Sequence, residues 1–190
     1  MAKKMKSKKP AKKAAKKAAK TAAKKVVKKA PKKVSPVPAG YHTVTPYLVV
    51  KGAADAIAFY RKAFGAREKL RMAAPDGSIA HAEMLIGDSH VMIGDENPQM
   101  GATSAQSLGG SPVHVFLYVR NVDALVKQAA AAGATVTMPP MDMFWGDRYA
   151  KLDDPYGHHW SVATHIEDVS PKEMERRGRE AFAQQSEEPA

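Results

Sequence analysis

The sequence predicts an α+β protein: two βαβββ modules forming a cup-shaped curved mixed sheet with helices outside, a basic arm before them and a helix after. Three observations predict it. The order strand, helix, strand, hairpin occurs twice between residues 43 and 166. The pairs Gly65-Ala66 and Gly133-Ala134 stand 68 residues apart, and the turn glycines Gly87 and Gly157 stand 70 apart, so the two runs are in register. The charge, finally, separates the chain into a cationic arm and an acidic body. The expected division is 1–40 for the arm, 41–166 for the domain, with modules at about 43–95 and 112–166, and 167–190 for a C-terminal helix and tail.

The net charge of +11 is not an average property. Residues 1–40 hold 16 Lys, no Arg and no acid, which leaves 14 basic against 19 acidic residues and a net of −5 for 41–190. A hydrophobic content of 44% suffices for a core. The absence of Cys excludes a disulfide framework, a thiolate metal site and a cysteine nucleophile. No apolar run reaches the 18 residues of a membrane span. The basic N-terminus has no apolar segment behind it, so it does not read as a secretory signal. A cytoplasmic protein, at the nucleoid if the arm meets DNA, is expected.

In the first module, Val44–Val50 is apolar and reads as a strand. Ile57, Tyr60 and Phe64 at i, i+3, i+7 predict a helix over Ala53–Phe64, and Gly65 is placed to end it. Arg67–Met72 is a short strand, followed by the turn Pro75-Asp76-Gly77-Ser78. Ile79–Ile86 and His90–Ile93 form a hairpin about Gly87-Asp88-Ser89. Residues 96–111, rich in Gly, Ser and Gln, are an expected linker. The second module repeats the order: strand Val113–Arg120, helix Val122–Ala132, stop Gly133, and strand Ala134–Met138 before Pro139-Pro140. A hairpin of Arg148–Leu152 and His158–His165 follows, about Asp154-Pro155-Tyr156-Gly157. That turn has a mechanism: Asp bonds its own backbone, Pro presets φ and Gly accepts φ > 0.

Strand alternation assigns the faces. Val115, Leu117 and Val119 should meet a helix, which turns His114, Phe116 and Tyr118 inward. Ala82, Met84 and Ile86 leave His81, Glu83 and Leu85 inward, and Pro46, Leu48 and Val50 leave Thr45, Tyr47 and Val49. With Trp160 and Val162 toward the helices, His159 and Ser161 face in. The cup should therefore gather His81, Glu83, His114, His159 and Tyr47.

Paired βαβββ units of this kind resemble the vicinal-oxygen-chelate superfamily, which holds the glyoxalase, bleomycin-resistance and extradiol-dioxygenase proteins. Four stretches look like its PhnB-like branch: Pro46-Tyr47-Leu48; Phe59-Tyr60 through Phe64-Gly65-Ala66; Trp145-Gly146-Asp147-Arg148; and Asp154 through Ser161 with Ala163-Thr164-His165. The resemblance covers roughly 43–175. It implies a homodimer. It also implies a metal site with a His or Gln from each module's first strand and a Glu from the last strand. Here those positions carry Thr45, His114 and Ser161, with the first module's closing position somewhere in Val91–Asp95; at least two ligands are missing, so the usual metal site is expected to be absent and no cofactor is expected. A site relocated onto His81, Glu83, His114 and His159 is the alternative, since imidazoles with a carboxylate suit a divalent ion.

Tyr47, His114, Trp145, Arg148 and His159 are the candidate substrate-binding residues, with Arg148 gripping an anionic group and Trp145 stacking on the ligand. The plain alternative is an Asp147–Arg148 loop contact with Trp145 as a lid on the core. Glu83 or His81 is the candidate general base; the two are equally readable as a structural pair. His42 and His90 read as surface residues, and His165 as bonding local backbone. The function classes left open are a small-molecule binder, a metal-dependent lyase, isomerase or dioxygenase, and a chromatin-associated dimeric scaffold.

The arm repeats Lys-Lys-Ala-Ala and resembles the tails of linker-histone-like bacterial proteins. Lys12, Lys13, Lys16, Lys17, Lys20, Lys24, Lys25, Lys28 and Lys29 are its candidate phosphate contacts. Like charges at i, i+4 and the scarcity of large apolar side chains predict disorder in isolation. No aromatic or Arg accompanies the lysines, so base stacking and base readout are not offered and any nucleic-acid binding should ignore sequence. A merely solubilising arm and a targeting peptide are the alternatives. At the other end, Ser170-Pro171-Lys172-Glu173 is a helix-start pattern, with the helix running to about Gln184.

Overall fold

The computed structural model describes residues 34–187. The expectations for Lys12 through Lys29 lie outside the described residues. All described elements fall within one unit, Val37–Ala190.

The first module is β1 (Tyr47–Val50), α1 (Ala53–Phe64), β2 (Arg67–Ala73), β3 (Ile79–Ile86) and β4 (Ser89–Asp95). Residues 96–111, expected as a bare linker, contain a 3-10 turn at Pro98–Met100 and a short helix α2 (Ala105–Leu108). Glu96 explains this order: its Oε2 accepts from Ser104 Oγ at 2.6 Å and Ser107 Oγ at 2.7 Å, tying the start of α2 to the end of β4. The second module is β5 (His114–Tyr118), α3 (Val122–Ala132), β6 (Thr135–Asp142), β7 (Asp147–Asp153) and β8 (His159–His165), and α4 (Pro171–Glu187) follows.

Each module forms a four-stranded mixed sheet, in the orders β1-β4-β3-β2 and β5-β8-β7-β6. The opening strand pairs in parallel with the closing one in both, and the remaining pairings are antiparallel. The repeat seen in the sequence is thus a repeat of topology. β6 runs through Pro139-Pro140 to Asp142 rather than stopping at Met138. It is an edge strand, where prolines need give no ladder hydrogen bond, and its register slips between Met138 and Met141.

The core lies between the helices and the sheets' outer faces. α1 sends Ile57, Tyr60, Ala63 and Phe64 into it, β3 sends Ala82 and Met84, and β8 sends Trp160 and Val162. Val115, Leu117 and Val119 pack against the same core. The predicted faces therefore hold for β3, β5 and β8. The N-terminus of α1 has glycine at its cap and no side-chain cap of its own. Asp95, at the end of β4, supplies one: its Oδ1 accepts from Gly52 N and Ala53 N at 2.8 Å, and its Oδ2 from Ile79 N at 2.7 Å. α4 starts where predicted, with Ser170 Oγ accepting from Glu173 N at 3.3 Å. No described helix is long and apolar enough to cross a membrane.

Candidate functional site

The inner residues form two clusters rather than one. Among the described residues, no hydrogen bond, ion pair or ring contact joins the inner face of the first sheet to that of the second. The side-chain contacts that cross between modules lie on the helix side, as with Phe64 on Trp160 at 4.5 Å and Gln128 Nε2 on the Lys62 and Ala63 carbonyls. The expected gathering of His81, Glu83, His114, His159 and Tyr47 is corrected accordingly. The shared core holds the modules together through their helices, and each inner face makes its own contacts.

On the first face, Glu83 accepts hydrogen bonds from Tyr41 Oη and, at 3.3 Å, from His81 Nε2. Tyr41 lies stacked on His90 with ring centres 4.0 Å apart, and His90 Nδ1 bonds the Gly40 carbonyl at 2.9 Å. The segment after the basic arm is thereby folded onto the first sheet, and His90 is half-buried rather than a free surface residue. The bond from Tyr41 is the main cause that holds the Glu83 carboxyl below the usual range, with burial opposing it and His81 adding to it. Tyr47 tilts over His81 at 5.7 Å. Gly94 leaves room for it, because a Cβ there would stand 2.7 Å from the Tyr47 hydroxyl.

The second face is richer. His114 and His159, paired across β5 and β8, stack at 5.0 Å, and His159 Nδ1 donates to Asp153 Oδ1 at 2.6 Å. Phe116 stands 5.0 Å from Tyr118 and 5.9 Å from Tyr149, and Trp145 lies edge-on to Tyr149 at 5.8 Å. Phe116 is 47% exposed and Tyr118 66%, so this aromatic wall is open. Beneath it, Tyr149 and Ser161 share a 2.8 Å hydrogen bond, both buried.

The buried Asp147 organises the far end. It accepts from Tyr118 Oη and Trp145 Nε1 at 3.1 Å and from His165 Nδ1 at 2.8 Å. His165 Nε2 reaches Asp168 at 3.0 Å. An imidazole between two carboxylates must donate from both nitrogens, and the bonds to Asp147 and Asp168 push its pKa up. The expectation that His165 bonds local backbone is therefore corrected. Gly146 makes the preceding turn possible, since a Cβ there would lie 2.1 Å from the Glu167 carbonyl oxygen.

Arg148 is placed elsewhere. It shares strand parity with Ala150 and Leu152, which are buried in the core, so it leaves the inner face. Its Nε and Nη2 donate to Asp123 on α3 at 2.7 Å and its Nη1 to Asp142 at 2.9 Å. These partners replace both the ligand carboxylate and the Asp147 contact considered from the sequence. Asp147 and Tyr149 were legible as site residues from the same β7 alternation. Tyr41 was not, since nothing local ties it to Glu83.

Three of the metal positions implied by the resemblance carry one imidazole and two hydroxyls. Thr45 Oγ1 donates to the His42 carbonyl at 3.2 Å, and Ser161 is bonded to Tyr149. Neutral hydroxyls are poor ligands for a divalent ion, and that donor set does not fit one. Among the described residues, no group of three or more His, Cys, Asp or Glu is arranged to hold a metal ion.

A family model described as the Glyoxalase/Bleomycin resistance protein/Dioxygenase superfamily matches residues 41–162. An uncharacterized protein of Mycobacterium bovis is 44% identical over 135 residues, covering 70% of this chain and 89% of that protein. Among solved structures, TioX from Micromonospora sp. ML1 is 29% identical, with a TM-score of 0.53 over 65% of this chain and 98% of that one. The fosfomycin resistance protein FosX from Listeria monocytogenes, solved with Mn(II) and sulfate ion, is 18% identical. Its TM-score is 0.51 over 72% of this chain and 97% of that one, a likeness of fold alone.

Proposed function

The chain belongs to the glyoxalase/bleomycin resistance protein/dioxygenase superfamily, and from that premise we propose that it is a PhnB-like member that binds a small aromatic or apolar molecule on the inner face of its second module, without the superfamily's usual metal. The carrying observation is the open ring wall of Phe116, Tyr118, Tyr149 and Trp145, bordered by the stacked imidazoles of His114 and His159. Apolar rings with a few fixed polar groups suit a ligand that stacks and is then oriented by hydrogen bonds. Tyr47, on the other face, is a contact only if a second copy of the chain brings the two faces together, and a homodimer is part of the proposal. The Lys-rich arm would hold this domain on nucleic acid without sequence preference, as a cytoplasmic, nucleoid-associated protein.

The test is a binding screen of planar aromatic compounds followed by Trp fluorescence, with Phe116→Ala and His114→Ala alongside. Both residues are exposed, so both variants should fold, and a true ligand should be lost from each. A ligand retained by both variants overturns the assignment. Elemental analysis of the dialysed protein tests the metal clause; one divalent ion per chain, lost in His114→Ala, would overturn it.

A second reading, catalysis with Glu83 or His81 as base, rests on the chain Tyr41–Glu83–His81. A carboxylate held below its usual range is a weak base, which favours binding over this reading. Turnover abolished by Glu83→Gln with ligand affinity unchanged would reverse that preference.

A further inference from the structure

A second cleft, of about 330 Å³, opens between β1 and β5 with α2 along one side. Leu48, Val49, Ala105, Leu108, Val113 and Val115 give it apolar walls. Tyr47, Thr103 and Ser111 also line it, and the Ser111 hydroxyl is turned onto the backbone of Val113. The remaining polar lining residue is His158, whose side chain is only 9% exposed.

The two ring nitrogens of His158 differ. Nδ1 is sealed from solvent, has no hydrogen-bond partner, and lies 3.6 Å from Asp154 Oδ2. Nε2 is not among the buried unpaired atoms and makes no bond to the protein, so it is the nitrogen left accessible. Asp154 is held in place by four donors: Tyr156 N and His158 N at 2.9 Å on Oδ1, and Tyr60 Oη at 2.7 Å and Trp160 Nε1 at 2.8 Å on Oδ2. Burial pushes its pKa up, but the bonds from Trp160, Tyr60 and the His158 backbone N–H outweigh this and keep it a carboxylate. A buried carboxylate requires the proton of the neighbouring imidazole on the nitrogen that faces it. Nδ1 then carries a hydrogen toward Asp154, and Nε2 is the ring nitrogen free to bond a ligand.

We propose that this cleft is a binding site for a small phenol-type molecule, whose ring occupies the apolar walls and whose hydroxyl hydrogen-bonds to His158 Nε2. The volume suits one substituted ring, since a cavity of about 150 Å³ already admits benzene. An accessible ring nitrogen beside apolar walls suits a hydroxyl, which can donate or accept. This site is separate from the aromatic wall of the second module and does not depend on the function proposed for that wall.

The test is titration of the full chain with p-cresol and, as the hydroxyl-free control, toluene, followed by NMR of the His158 ring nitrogens. p-Cresol should move Nε2 and bind about tenfold more tightly than toluene. His158→Gln should bring p-cresol down to the level of toluene. Leu108→Trp, at an exposed position on α2, should block both compounds while leaving Asp154 and its donors untouched, so it decides the matter even if His158→Gln fails to fold. Absence of p-cresol binding, equal affinity for toluene, an unmoved Nε2, or undiminished binding in Leu108→Trp would each overturn the proposal.

Discussion

Tyr60 and Asp154, 94 residues apart and in different modules, share a buried hydrogen bond of 2.7 Å. The first module's helix thereby holds the turn that opens the last strand of the second. Burial and the adjacent carboxylate push the Tyr60 phenol well above its ordinary pKa, so it stays a donor. Trp160, fully buried, donates to the same oxygen and stacks obliquely on Tyr60 at 5.6 Å.

Tyr60→Phe keeps the ring and removes the donor. It should destabilise the protein by about 2 kcal/mol, the range for a bond to a charged acceptor. Urea unfolding should show the loss as a lower midpoint with an unchanged slope. Asp154→Ala should cost more, because it leaves four buried donors without their acceptor.

Tyr41→Phe should release Glu83. The largest cause of the depressed Glu83 pKa is then gone, so its titration should move up toward the ordinary glutamate range. Carboxyl ¹³C NMR against pH reads this directly. An unmoved titration would show that Tyr41 does not hold Glu83 in solution.

His165 sets a pH dependence whose sign is fixed by its partners. Its folded pKa is raised, so the stabilisation is complete below about pH 6.5, the unperturbed value, and is lost as pH rises through the folded pKa. The difference in melting temperature between the native chain and His165→Gln should be largest near pH 5.5 and shrink in alkaline buffer. Asp168→Asn should lower the His165 pKa without disturbing the Asp147 contact.

Removal of residues 1–40 should abolish retention on DNA. The intact chain should lose affinity linearly with log salt, with a slope of roughly −0.9 for each phosphate neutralised. Filter binding at several salt concentrations measures both, and retention that survives the deletion would end the tether proposal.

Period-2 alternation and the 68- and 70-residue spacings were enough to determine the two modules, the order of elements along each and which side chains leave the core. These are local properties, set by backbone geometry and by the need to bury Trp160, Val162, Met84 and their neighbours. The Asp-Pro-Tyr-Gly turn was legible for the same reason. Tertiary structure alone decided the partners. Asp95 caps a helix 42 residues before it, Tyr41 reaches a carboxylate 42 residues after it, and Arg148 is taken by Asp123. Alternation places a side chain on a face without saying what the opposite element brings there. The inner residues were read as one cluster because each strand turns them inward, yet the modules pack through their helices, and that packing leaves two faces instead of one.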